Sequence, residues 1–78
     1  MSVEIKKNQS LPAIFSKRLI ELRQKKHMTQ IDLCLKVEVT QTYISALERG
    51  ERSPSFELLG RLAKALGVEA GELLSGPI

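Results

Sequence analysis

An all-α fold of five short helices is predicted by three observations along this 78-residue chain. Apolar residues recur at spacings of three and four, the period of a helix face. Hydroxyl residues stand just ahead of those runs, at Ser10, Thr29, Thr40 and Ser55, where N-caps belong, and Gly50 and Gly67 follow two of them, where a left-handed C-terminal residue belongs. No strand pattern of useful length competes. With 42% hydrophobic and only 4% aromatic residues, the core is expected to be built of Leu, Ile, Val and Ala in one small domain.

Residues 1–9 are polar and read as a loosely ordered arm, in which Val3 and Ile5 alternate as in an extended segment; residues 10–78 form the domain. Ser10 caps the first helix, Pro12 is tolerated in its first turn, and Phe15, Leu19 and Leu22 fall on one stripe. The cations of "RQKKH" suit its C-terminal end. Thr29 caps a two-turn helix, Gln30 to Lys36, with Leu33, Cys34 and Val37 inward. After a turn at Val37 to Val39, Thr40 caps a third helix, fastened by Ile44 and Leu47, that reaches Arg49. "ERSPS" is a loop. Ser55 then caps Phe56 to Leu66, where Leu58, Leu59, Leu62, Ala63 and Leu66 keep an amphipathic period, and "EAGELL" forms a short last helix weakened by Gly71.

Two short helices joined by about three residues must cross steeply, which is the geometry of a helix-turn-helix. Leu33, Val37, Val39, Ile44 and Leu47 would lock the corner, with small Cys34 at the closest approach. Gln41, Thr42, Tyr43, Ser45 and Ala46 are then left outside.

Composition excludes several classes. A single cysteine cannot form an internal disulfide, and one His is too few for the usual zinc arrangements, so no metal or cofactor site is expected and a reducing compartment is. No apolar run is long enough to span a membrane and no signal peptide is evident, so the cytoplasm is the expected location. Paired carboxylates, a nucleophile with its base, and a glycine-rich phosphate loop are all missing, which argues against an enzyme. The net charge of +3 is unevenly spread: residues 1–36 carry eight Lys/Arg against three acidic residues, and residues 37–78 carry four against six. That asymmetry is only weak evidence for a polyanionic partner, since a lopsided solvated surface is the commoner cause.

From about Phe15 to Leu74, the ordered motifs "LIELRQKKHMTQIDL", "VTQTYISALERGERSPS" and "LGRLAKALGV" resemble the Cro and phage-repressor, XRE-like, family of helix-turn-helix proteins. The resemblance implies a five-helix lambda-repressor-like bundle and double-stranded DNA as partner. It implies that Gln30 meets a phosphate, that Gln41 and Thr42 begin the base-reading helix with Ser45 and Ala46 one turn further on, and that Tyr43 meets backbone or bases. Arg49 and Arg52 flank that helix's exit for phosphates. Apart from the resemblance, Lys36 reads either as a further phosphate contact or as a plain solubilising charge. Arg23 and Glu48 match a buried ion pair of structural role. Tyr43 can also be read as packing on the core edge, and Cys34 as a small buried hydrophobe.

His27 and Glu38 stand where relatives usually carry glycine, and Ile31 and Leu35 are apolar where relatives often place polar residues. These two are expected to meet the arm or a partner.

A helix of this size reads too few base pairs alone, so a homodimer on a (pseudo)palindromic operator is expected, with half-sites about 34 Å apart. Val68, Leu73 and Leu74 are the expected dimer residues, because the last helix has little else to bury against. The expected function is transcription regulation by a stand-alone protein without a small-molecule effector, similar to Cro-type or restriction-modification controller proteins. The alternative is a protein-interaction module of the same fold, antitoxin-like or an adaptor.

Overall fold

The computed structural model describes residues 11–75. It contains α1 (Leu11–Lys25), α2 (Gln30–Val37), α3 (Gln41–Glu48), α4 (Phe56–Leu66) and α5 (Ala70–Leu73), and all regular structure among the described residues is helical. The predicted arm and the Ser10 cap lie outside those residues. Of the other bounds, α2 gains Val37 and α3 stops one residue early, with Arg49 as its cap.

The expected caps form. The Thr29, Thr40 and Ser55 hydroxyls accept from the backbone N–H of Asp32, Tyr43 and Leu58. At Thr29 the box is reciprocal, since its N–H donates back to the Asp32 carboxylate at 2.9 Å. These contacts hold the Asp32 carboxyl below its ordinary pKa, the backbone N–H of Thr29 being the larger cause and its hydroxyl the second.

Four helix ends share one device. A residue in the left-handed region lets the next N–H reach back to the carbonyl five residues earlier: Met28 to Arg23, Val39 to Cys34, Glu51 to Ala46 and Val68 to Ala63. Gly50 and Gly67 occupy two of these positions at φ near 70–76°, but His27 (φ 57°) and Glu38 (φ 62°) occupy the others. A side chain there costs about 1 kcal/mol or more. At the first of these turns the Arg23 guanidinium offsets part of that cost, donating to the Met28 carbonyl at 2.8 Å.

The five helices enclose one core. Phe15, Leu19 and Leu22 of α1 meet Leu33, Cys34 and Val37 of α2, Ile44 and Leu47 of α3, Leu58, Leu59, Leu62, Ala63 and Leu66 of α4, and Leu73 of α5, every one of them buried. The corner between α2 and α3 rests on α4 behind and α1 beside it. Two polar straps complete the frame. Arg61 of α4 donates to the Val37 carbonyl at 2.6 Å and to the Glu38 carboxylate, closing the end of α2; Arg18 of α1 donates to the Glu72 carbonyl of α5.

Leu73 requires a correction. Its side chain is 0% exposed within its own chain, so it cannot meet a second copy as expected. In a helix of one turn, Leu73 and Leu74 point in different directions: Leu73 fills the space under α1 and α4, and Leu74 is left at the surface. Val68 is partly buried against the same core.

Candidate nucleic-acid interface

Helix α3 has a fully committed inner side. Ile44 and Leu47 are sealed in the core, and Glu48 at its last position receives two N–H bonds from Arg23, Nε to Oε2 at 2.6 Å and Nη2 to Oε1 at 3.1 Å. The pair is nearly enclosed, with side chains 13% and 6% exposed. The bonds to Glu48 raise the Arg23 pKa from its ordinary value, against the opposing effect of desolvation. Because the pair joins α1 to the end of α3, it fixes the direction in which α3 leaves the bundle.

The same carboxylate reaches the outer side through Gln30, whose amide N–H donates to Glu48 Oε1 at 2.9 Å. The Gln30 amide oxygen accepts from Ser45 Oγ at 3.1 Å and, more weakly, from Gln41 Nε2 at 3.4 Å. A chain of hydrogen bonds therefore runs Arg23, Glu48, Gln30, Ser45 and Gln41, from the interior to the face of α3. The sequence reading placed Gln30 at a phosphate and did not foresee this bridge. A glutamine at the first position of α2, opposite Gln41 and Ser45 across the turn, is the signal that could have found it.

Gln41 and Thr42 are exposed, and Ser45 is half-buried beneath Gln30. Tyr43 packs partly on the core edge, with the Arg52 guanidinium over its ring at 5.3 Å from the centroid. Ala46 requires a second correction: it is 7% exposed and cannot lie on the outer side. Two residues beyond Ile44 and next to Leu47, it turns under the following loop, where its carbonyl accepts from Glu51 N–H.

Of the expected phosphate residues, Arg49 and Arg52 are exposed at the exit of α3. Arg49 holds the Glu51 carboxylate through Nε and Nη2 at 2.9 and 3.0 Å, which raises the arginine's pKa and lowers the glutamate's. Lys36 is not brought to this group. It faces Glu38, Arg61 and Lys64 across a shallow depression between α2 and α4. Among the described residues no group of three or more His, Cys, Asp or Glu side chains could hold a metal ion, and no helix is long and apolar enough to cross a membrane.

A bracing helix, a left-handed turn and a second helix with a polar, uncharged outer side define a helix-turn-helix protein. The chain belongs to the Helix-turn-helix family, whose model matches residues 19–73. Among solved structures it is similar to a hypothetical transcription factor, NHTF, from Neisseria, with a TM-score of 0.85 and 30% identity over 99% of this chain and 88% of that one. It is also similar to the restriction-modification controller protein C.AhdI from Aeromonas hydrophila, with a TM-score of 0.76 and 35% identity over 80% of this chain and 94% of that one. Multiprotein-bridging factor 1 from Candida glabrata is 35% identical over 95% of this chain, which spans 52% of that protein's length.

Proposed function

We propose that the chain is a sequence-specific, double-stranded DNA-binding transcription regulator that acts in the cytoplasm as a homodimer on a (pseudo)palindromic operator. One observation carries the reading: α3 presents Gln41, Thr42 and Ser45, all uncharged hydrogen-bonding groups, on a helix whose other side is fastened by Ile44, Leu47 and the enclosed Arg23–Glu48 pair. Base edges are discriminated by hydrogen bonds, and a recognition helix must be held rigidly to use them. Gln41, Thr42 and Ser45 are the proposed base readers. Arg49 and Arg52 are proposed for the phosphates beyond the helix, with Tyr43 held beside them by Arg52. Gln30, at the N-terminus of α2, is proposed to meet a phosphate while orienting Gln41 and Ser45.

The similarity to a restriction-modification controller protein along nearly all of that protein's length supports a regulator of this type. A second reading, an adaptor that binds another protein, is supported by the similarity to a multiprotein-bridging factor. Selection of bound sites from a random DNA pool, at stated salt, separates the two. Enrichment of a palindrome with half-sites about one helical turn apart is the expected result; failure to enrich any sequence would favour the adaptor.

A further inference from the structure

The hydrogen bonds around Gln30 run in a fixed sense, and that sense limits what α3 can read. Glu48 lies at their inner end with its side chain 6% exposed, and its carboxylate, paired with Arg23, has lone pairs and no proton to give. The Gln30 group that meets it at 2.9 Å is therefore the NH2, which turns the Gln30 carbonyl oxygen the other way, toward α3. Only donors can satisfy that oxygen. Ser45 commits its single hydroxyl proton to it at 3.1 Å, and Gln41 offers one of its N–H groups at 3.4 Å. We infer that Ser45 faces DNA as a hydrogen-bond acceptor only, and so selects, on the strand it meets, a base with an exocyclic amino group, adenine or cytosine. The inference rests on the proposed reading of DNA by α3, and it makes Gln30 the positioning residue that sets the sense of the Ser45 contact.

An uncommitted hydroxyl makes no such choice. It rotates to donate to guanine O6 or N7, or to thymine O4, as readily as it accepts from an amino group, so a free serine carries little base information. Thr42 is in that position, exposed on the same helix with its side chain bonded to no described residue. Ser45 is half-buried beneath Gln30. To donate outward it would have to abandon the Gln30 oxygen to the longer Gln41 bond and set its own lone pairs against it.

Turning Gln30 over offers no relief. A reversed amide would place its carbonyl against the Glu48 carboxylate, acceptor against acceptor, at the least exposed point of the chain of bonds. The sense of the contact thus enters at the enclosed Arg23–Glu48 pair and passes outward through two side chains. The Gln30 amide is also close to saturated, since its oxygen takes two bonds and one N–H serves Glu48. The N–H that remains can be satisfied only by an acceptor such as a phosphate oxygen, in keeping with the phosphate role proposed for the same residue.

Parallel selection from one random duplex pool, at one salt concentration, tests the assignment with the parent, Ser45→Ala and Gln30→Met, each first checked for a folded thermal transition. The parent is expected to prefer adenine or cytosine at one position of each half-site about tenfold over guanine or thymine, the effect of leaving one polar group unpaired. Ser45→Ala should lose the preference at that position alone. Gln30→Met should bind every sequence more weakly and lose the same preference, because the freed hydroxyl can then donate.

A second measurement does not depend on the Gln30 variant folding. Replacing the preferred base by its counterpart without the amino group, purine for adenine or 2-pyrimidinone for cytosine, should weaken the parent about tenfold more than it weakens Ser45→Ala. A parent preference for guanine or thymine at the position that Ser45→Ala alters overturns the acceptor assignment, as does equal weakening of both proteins by the missing amino group. A folded Gln30→Met that binds uniformly more weakly but keeps the parent's preference overturns the positioning role and leaves DNA reading by α3 standing. A parent that enriches no sequence removes the DNA-reading proposal itself, and this inference with it.

Discussion

Arg23 and Arg49 each grip a carboxylate through Nε and Nη2, and the two pairs differ chiefly in their surroundings. Arg23–Glu48 joins α1 to α3 across most of the chain's core and is nearly enclosed, whereas Arg49–Glu51 spans two residues in a loop, with side chains 55% and 58% exposed. An enclosed pair fixes geometry because either partner left alone is a buried charge. A solvated one contributes little to stability and exchanges partners readily. The two pairs separate two jobs within fewer than five residues of sequence: Glu48 holds α3 in place, and Arg49, solvated and gripping only Glu51, is the one proposed to trade that carboxylate for a phosphate.

The largest effect should come from breaking the enclosed pair. Arg23→Ala strands Glu48 and is expected to destabilise the fold by about 3 to 5 kcal/mol in urea denaturation, also releasing the Met28 carbonyl. A loss comparable to that of a surface substitution would remove the contrast between the two pairs. The turn that Arg23 braces gives the next largest effect, in the opposite direction. His27→Gly relieves a left-handed side chain and should stabilise by about 1 kcal/mol; an unchanged or lowered midpoint would show that the turn carries no strain.

A smaller, pH-dependent contribution belongs to the Thr29–Asp32 box. Because the folded Asp32 pKa lies below its ordinary value, the box adds stability above the unfolded value, about 3.9, and loses it as pH falls through the folded one. NMR titration of the Asp32 carboxyl should give a midpoint below that of the unfolded chain, and a midpoint at or above it would contradict the capping geometry. Arg49→Ala should have the smallest effect on folding, leaving the unfolding midpoint where it was. It should nonetheless weaken binding to all DNA sequences and flatten the salt dependence by about one. An unaltered salt slope would remove Arg49 from the phosphate set.

Much of this arrangement was legible in the sequence, for reasons that can be located. Thr29, Thr40 and Ser55 announce helix starts because a hydroxyl one residue before an apolar period has a specific bond to make, and all three make it. The Arg23–Glu48 pair was legible only through family resemblance, since 25 residues separate its members and spacing carries no sign of it. The misses fall where local pattern is weakest. Ala46 has too small a side chain to declare a face, and its burial is decided by the loop that folds back to its carbonyl. Leu73 and Leu74 are adjacent leucines in a helix of one turn, so periodicity could not choose between them; the packing of α1 and α4 chose Leu73. Phe56 is inconspicuous as the first residue of an amphipathic run, yet its side chain stands almost wholly exposed. Arg61 reads as one more surface charge until α4 is seen behind the end of α2.

On the proposed function, the outer side of α3, held by the interior through Glu48 and Gln30, reads DNA sequence. Parallel selection from one random DNA pool, at one salt concentration, with the parent and with Gln41→Ala tests it most directly. Gln41 is exposed and its removal leaves the core untouched, so a folded variant with a changed preference at one position of each half-site is the predicted result, at about 1 to 3 kcal/mol per affected base pair. Identical enriched sites bound with identical affinity would contradict it.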